Sequence, residues 1–154
     1  MRTLAPAFIT FIAFFAQVTP ALCWWQYAEW GLSASQVASA SGGRTAPCRP
    51  DVPACTRPPG GVAPSHVVDG ITMVGMPASA AFAFDAGDHL IQTVVFFPGA
   101  APDLIEKLMQ GVHGRPLDEQ ASPRVWRDAR RGSDITALPV NGGMILLYRP
   151  TSTR

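Results

Sequence analysis

Lysine is nearly missing from this chain: Lys107 carries the one ammonium side chain, and every other basic residue is arginine. Charge of either sign is sparse, at 15% of residues, and 12 basic against 11 acidic side chains leave a formal net charge of +1. Phosphate binding needs a surplus of Lys and Arg, so the composition makes no electrostatic case for nucleic acid or an anionic membrane surface as a partner. His66, His89 and His113 lie far apart and none stands in an H-E-x-x-H or comparable ligand spacing, so no metal site is expected. A G-x-S-x-G elbow, a phosphate loop and a dinucleotide fingerprint are all missing, and "SGGRTAPC" lacks the Lys-Ser/Thr of a phosphate cradle. Asp85, Asp88 and His89 crowd one turn, where turn chemistry accounts for both aspartates without an acid-base role. The chain therefore reads as a non-enzyme with no catalytic residue and no cofactor.

Cysteine is also scarce, with Cys23, Cys48 and Cys55 as the full set. What these thiols do depends on the compartment. The chain opens with Arg2, runs through the uncharged stretch "LAPAFITFIAFFAQV" and reaches "TPALC", the pattern of a secretory signal peptide over residues 1–23. Thr10, Gln17 and Pro20 interrupt the run, which leaves it short for a bilayer span of about 20 apolar residues. Ala21 and Cys23 favour cleavage after Cys23, with cleavage after Ala21 the alternative. Lipidation of Cys23 fits poorly, because Pro20 and Leu22 stand where an aliphatic and a small residue are expected. Loss of Arg2 with the signal makes the remaining chain formally neutral. The expected address is periplasmic or secreted, without an integral membrane span. On the oxidising side of a membrane, Cys48 and Cys55 in "CRPDVPAC" read as a disulfide, with Pro47, Pro50 and Pro53 shaping the loop. A catalytic redox pair would have C-x-x-C spacing, and zinc would need two further ligands where His66 is the sole local candidate. The eight-residue ring closes at a gain of roughly 2.5 kcal/mol.

Residues 24–154 form one expected α+β domain, in halves 24–98 and 99–154. After the aromatic lead-in "WWQYAEW", Ser33 and Gln36 have capping-box spacing, Leu32 and Val37 the positions of a hydrophobic staple, and Gly42-Gly43 the place of a stop. The region from Val67 to Phe97 reads as a three-strand meander, with a turn at "DAGD". Pro102 and Asp103 open a second helix whose apolar residues are Leu104, Ile105, Leu108, Met109 and Val112. Three more strands follow: "RVWRDARR", "DITALPV" and, past Asn141-Gly142, "MILLYRP". The corresponding order implies tandem α-β-β-β halves that build one antiparallel sheet of about six strands with two helices on one face.

Both faces of these strands are apolar. A turn centred on Ala86-Gly87 would pair Phe84 with His89, placing Phe82, Phe84, Ile91, Val95 and Phe97 on one face and Ala81, Ala83, Leu90, Gln92, Val94 and Phe96 on the other. In the second hairpin Leu138, Ile145 and Leu147 oppose Ile135, Ala137, Met144, Leu146 and Tyr148. Two short helices cover one side of a sheet, whereas a sheet wet on its other side should alternate cleanly. The leftover face is either covered by Trp24, Trp25, Tyr27 and Trp30 or the stapled loop, or it binds another protein, a lipidic ligand or a second copy. Leu90, Val94 and Phe96 are its candidate contact residues. Trp126 and Arg127, within the arginine-rich strand that also holds Arg124, Arg130 and Arg131, are a candidate anchor and polar rim. The bland reading of those arginines is a charged edge strand that resists aggregation.

The "WGLSASQV" opening, through Trp30, Gly31, Leu32, Ser33, Gln36 and Val37, resembles small exported bacterial proteins of unknown function with a W-G-[ML]-[ST]-x-x-Q-V start. Gly114, Arg115 and Pro116 extend the match. At the level of fold, the helix-then-strands halves resemble the SmpA/OmlA-type outer-membrane-assembly lipoproteins and the β-lactamase-inhibitory proteins, although the lipobox of the former is missing here. The resemblance implies a non-enzymatic module that works by protein-protein contact. The expectation is an exported binding or structural module of the cell envelope that meets another envelope protein or itself, the alternative being a secreted inhibitor of a hydrolase.

Overall fold

The structure, a computed structural model, describes residues 28–152. The expected signal segment and the aromatics Trp24, Trp25 and Tyr27 lie outside the described residues.

Helix α1, Ala34–Ala40, starts where the capping box places it. The Ser33 side chain accepts from the Gln36 amide and the Gln36 side chain accepts from the Ser33 amide. It ends in a Schellman arrangement, with the amides of Gly43 and Gly42 donating to the carbonyls of Ala38 and Ser39. Strands β1 (Ala46–Pro47), β2 (His66–Met73), β3 (Met76–Phe84) and β4 (Leu90–Pro98) follow, then α2 (Pro102–His113), β5 (Val125–Asp128), β6 (Ser133–Val140) and β7 (Gly143–Pro150). All seven strands join one sheet in the order β1-β2-β3-β4-β7-β6-β5, every pairing antiparallel. The α+β class stands. The strand count rises from about six to seven because the stapled connection contributes its own two-residue edge strand, β1, against His66 and Val67.

Strands β4 and β7 pair in the middle of the sheet, in a register that sets Phe96 opposite Ile145 and Val94 opposite Leu147. Gly143 sits at this seam, where a Cβ would overlap the Phe97 carbonyl oxygen. That close approach demands glycine.

Two cores result, one on each face. Val37 of α1 and Ile105 and Met109 of α2 pack on the same side, against Phe82, Val95, Phe97, Ile135 and Leu146. On the far side Val52 and Ala54, from the loop closed by Cys48 and Cys55, pack on Val67, Ala81, Val94, Phe96, Ile145 and Leu147. The disulfide expected from the sequence is present, with the two Cα atoms 5.5 Å apart. The second apolar face is thus filled by the stapled loop, whose turn Pro53–Cys55 lies over β2, β3 and β4.

Two details of the first hairpin differ from simple alternation. Phe84 pairs with Leu90, and Phe82 with Thr93, because the register shifts between Ala83 and Phe84. The extra residue is a β-bulge, which moves Leu90 across the sheet to join Phe82 and Val95 on the helix side. Asp85 accepts the amides of Gly87 and His89 and so closes the turn locally. In the second hairpin no bulge intervenes between Val140 and Ser133, and both faces fall where alternation puts them.

Candidate functional site

Four of the five candidate contact residues are core. Val94 and Phe96 are 1% and 5% exposed beneath the stapled loop, while Leu90 and Trp126 are buried on the helix side. Trp126 is an internal anchor: its indole N–H donates to the Gly114 carbonyl at 3.2 Å, tying β5 to the end of α2. Arg127 remains at the surface, and its guanidinium makes a two-point ion pair with Asp134 at 2.8 and 3.1 Å. Its neighbours are also engaged, Arg124 with Glu106 and Arg131 with Asp128. The docking face expected from the sheet is occupied by the chain itself, because the Pro- and Gly-rich connection returns across it.

What pins that connection is Gln92. Its side chain is buried, with Oε1 accepting the Val62 amide at 3.0 Å and Nε2 donating to the Val62 carbonyl at 2.7 Å. A buried amide with both ends satisfied orients what it touches. Gly61 lies so close that a Cβ there would run into Gln92 and Pro58. Arg149 adds a hydrogen bond from its guanidinium to the Gly60 carbonyl at 3.1 Å.

The open site lies on the helix side. An amphipathic α2 needs one buried stripe, and Ile105 and Met109 provide it. The parallel i, i+4 stripe has no such cover: Leu104 is 49% and Val112 65% exposed, with Leu108 half-buried between them. Beside it runs a groove of about 1000 Å³. Its lining includes Leu108 and Val112 of α2, Met73, Val74 and Tyr148 of the sheet side, and Ala28, Glu29 and Trp30 ahead of α1. Trp30 is fixed there, since the indole donates to Ser133 Oγ at 3.1 Å and Gly31 and Leu32 exchange backbone bonds with Leu90. On the rim stands Val74, in the Val74-Gly75 turn at φ 50. A β-branched residue in the left-handed region is strained, and here it is also exposed.

The polar end of the groove is made by His113, Asp128, Arg130 and Arg131. Asp128 accepts the backbone amides of Arg130 and Arg131 at 3.1 and 3.3 Å and faces the Arg131 guanidinium at 3.7 Å. Partial burial holds His113 below the usual imidazole value, an effect that nearby Arg131 reinforces and Asp128 opposes. Thr93, Ser133 and Tyr148 bring hydroxyls to the lining, and that of Ser133 accepts a hydrogen bond from the Trp30 indole N–H and donates onward to the Arg131 carbonyl, so it is tied into the packing. The arrangement offers apolar surface with a small polar end, suited to holding a ligand.

The side chains of Asp85, Asp88 and His89 are engaged in structural hydrogen bonds. Asp85 bonds its own turn and the His89 ring at 3.1 Å, and Asp88 accepts the Ala34 amide at 3.1 Å at the start of α1. Among the described residues, no three His, Cys, Asp or Glu side chains are grouped to hold a metal ion. No helix among them is long and apolar enough to cross a membrane. Sequence reasoning missed the groove, though α2 carried the signal: five apolar residues form an arc wider than one contact with the sheet can bury. Compared with known protein families, curated proteins and solved structures, the chain matches none.

Proposed function

We propose that this chain is an exported, non-enzymatic binding or structural module of the bacterial cell envelope, and that it engages another envelope protein through the groove along α2. The observation that carries the reading is the exposed stripe Leu104, Leu108 and Val112 beside a cavity of about 1000 Å³, on a molecule whose two sheet faces are already filled. Apolar surface left contiguous in this way is characteristic of contact sites. The strained, exposed Val74 on the rim supports it, since backbone strain gathers where a side chain is needed in place. The disulfide and the hydrophobic N-terminal run support export.

The same reading takes the fold as tandem α-β-β-β halves. The strand order β2-β3-β4-β7-β6-β5 supports this, because each half contributes a meander and the third strands meet at the centre.

The test compares affinity capture from the cell envelope by the exported chain and by its Val112→Asp and Leu104→Asp variants. Both substitutions fall at exposed positions, so far-ultraviolet circular dichroism and melting temperature should stay unchanged while a specific partner is lost. Undiminished capture of that partner by both variants would place the binding surface elsewhere. Tight complex formation with a purified hydrolase would favour the inhibitor reading. Light scattering on the two variants distinguishes self-association from a foreign partner.

A further inference from the structure

Helix α2 buries Ile105 and Met109, one turn apart, against the sheet, and Glu106 beside them is taken by Arg124. Residues four apart on a helix stand one above the other, so Leu104 and Leu108 form a second row next to the buried one. Lys107 and Gly111 form a third row, with Asp103 one turn before Lys107. Asp103, Leu104, Lys107 and Gly111 are exposed, and Leu108 is half-buried.

Three features of this face serve nothing among the described residues. The apolar row stands partly in water, with Leu104 49% exposed. Asp103 and Lys107 have the i, i+4 spacing at which an acid and a base on a helix meet, yet among the described residues neither forms an ion pair, with the other or with any neighbour. Gly111 interrupts the helix interior, where glycine is less favourable than alanine. A Cβ there would meet nothing within 4 Å, so the packing of the chain itself does not call for a glycine.

All three features match one another when the helix is laid antiparallel on a copy of itself. Inversion about a two-fold axis at the level of Ile105 and Glu106 brings Leu104 opposite Leu108 and Asp103 opposite Lys107, each to within about 1.5 Å along the axis, one residue's rise. Symmetry then makes both pairs twice. The same inversion sets Gly111 level with Ala101, the residue that precedes α2, so small residues face each other at both ends and let the helix axes approach closely. A parallel arrangement would instead set Asp103 on Asp103 and Lys107 on Lys107. The face is thus complementary in charge to itself, in one orientation only.

We propose that this face of α2 is an isologous contact between two copies of the chain, with Leu104 against Leu108 of the second copy and Asp103 paired with its Lys107. The proposal deepens the reading of the α2 stripe as a contact surface and rests on it: the copy takes Leu104 and Leu108, and the groove past Val112 is left to the envelope partner.

The test is sedimentation velocity on the purified protein. A contact of one helix per copy belongs to the class below about 1,200 Å² in total, so dissociation on the order of 10–100 μM is expected, and the protein is run from about tenfold below to about tenfold above that range. Lys107→Glu and Asp103→Lys should each weaken the dimer about tenfold, because each sets two like-charged pairs across the contact. Both positions are exposed, so circular dichroism and melting temperature should stay unchanged. An equimolar mixture of the two variants should recover the parental dimer, since Glu at one position then meets Lys at the other, a rescue that a misfolded variant could not give. A monomer throughout the range, a dimer indifferent to both reversals, or a mixture no tighter than its components would overturn the proposal. Recovery in the mixture together with undiminished envelope capture by Val112→Asp keeps the second copy and removes the groove as the envelope contact. A monomer whose envelope capture is abolished by Val112→Asp removes the second copy alone.

Discussion

Replacing Gln92 by alanine tests whether the stapled connection is a fixed cover over the second sheet face. The substitution removes two hydrogen bonds to Val62, at 3.0 and 2.7 Å, from a side chain only 1% exposed. At about 0.5–1.5 kcal/mol net for each bond and about 0.8 kcal/mol for a buried methylene, the loss comes to about 2–4 kcal/mol. A domain of this size has of the order of 5–15 kcal/mol to lose. With a urea m-value near 2 kcal/mol/M, the midpoint should fall by about 1–2 M with little change in slope. Val62 is itself partly exposed, so water replaces some of what is lost and the lower half of that range is expected. Hydrogen exchange should show the Val62 amide losing protection before β4 does, because the loop opens as a unit. Gln92→Glu sharpens the test. A carboxylate accepts the Val62 amide but has no proton for the Val62 carbonyl, so at neutral pH it should destabilise more than alanine. It should recover toward acid pH, where the protonated group donates again. A midpoint shift below about 0.2 M with unchanged Val62 protection would refute the account of how this face is covered.

Three further outcomes follow from the placement of particular groups. Phe96→Ala should cost about 3–5 kcal/mol in unfolding experiments, as a large core truncation does, whereas exposed Leu104→Ala should cost under about 1 kcal/mol; the reverse order would reopen the sheet face as a surface. The purified protein should show no free thiol at Cys48 or Cys55 until reduced, and the Cys48→Ala, Cys55→Ala pair should lower stability by about 2.5 kcal/mol; labelling of both thiols without reductant rules the staple out. His113 titrates below 6.5 because burial disfavours its charge, with Arg131 adding to the effect and Asp128 opposing it. Its depressed folded value means the unfolded chain binds the proton first, so stability is full above the unfolded value, near 6.5, and falls as pH drops below it. His113→Gln should flatten that part of the stability-pH curve, and an unchanged curve for the variant would show that another group sets it.

The legible parts of this protein are those whose causes lie within a few residues. Ser33 and Gln36 satisfy each other's amides three positions apart, and Gly42 and Gly43 end the same helix at left-handed angles of 67° and 76°. The alternation from Ile135 to Tyr148 assigns both faces of the last hairpin, as β6 and β7 pair without a bulge. The first hairpin departed from that reading because one extra residue, Ile91, carried Leu90 to the opposite side. Nothing in a period-two pattern announces such a shift in advance.

Local chemistry, then, determined which segments are helix, strand and turn, that both sheet faces are greasy, and that the cysteine pair closes a loop. It did not decide what lies against each face. That depended on where the Pro-rich connection lands, a matter of Gln92 meeting Val62 across 30 positions, and of Trp126 turning inward to the Gly114 carbonyl. Contacts so distant in sequence form only after the chain has closed on itself. The surface left for recognition was therefore settled by tertiary packing, which buried the sheet and left one stripe of α2 in water.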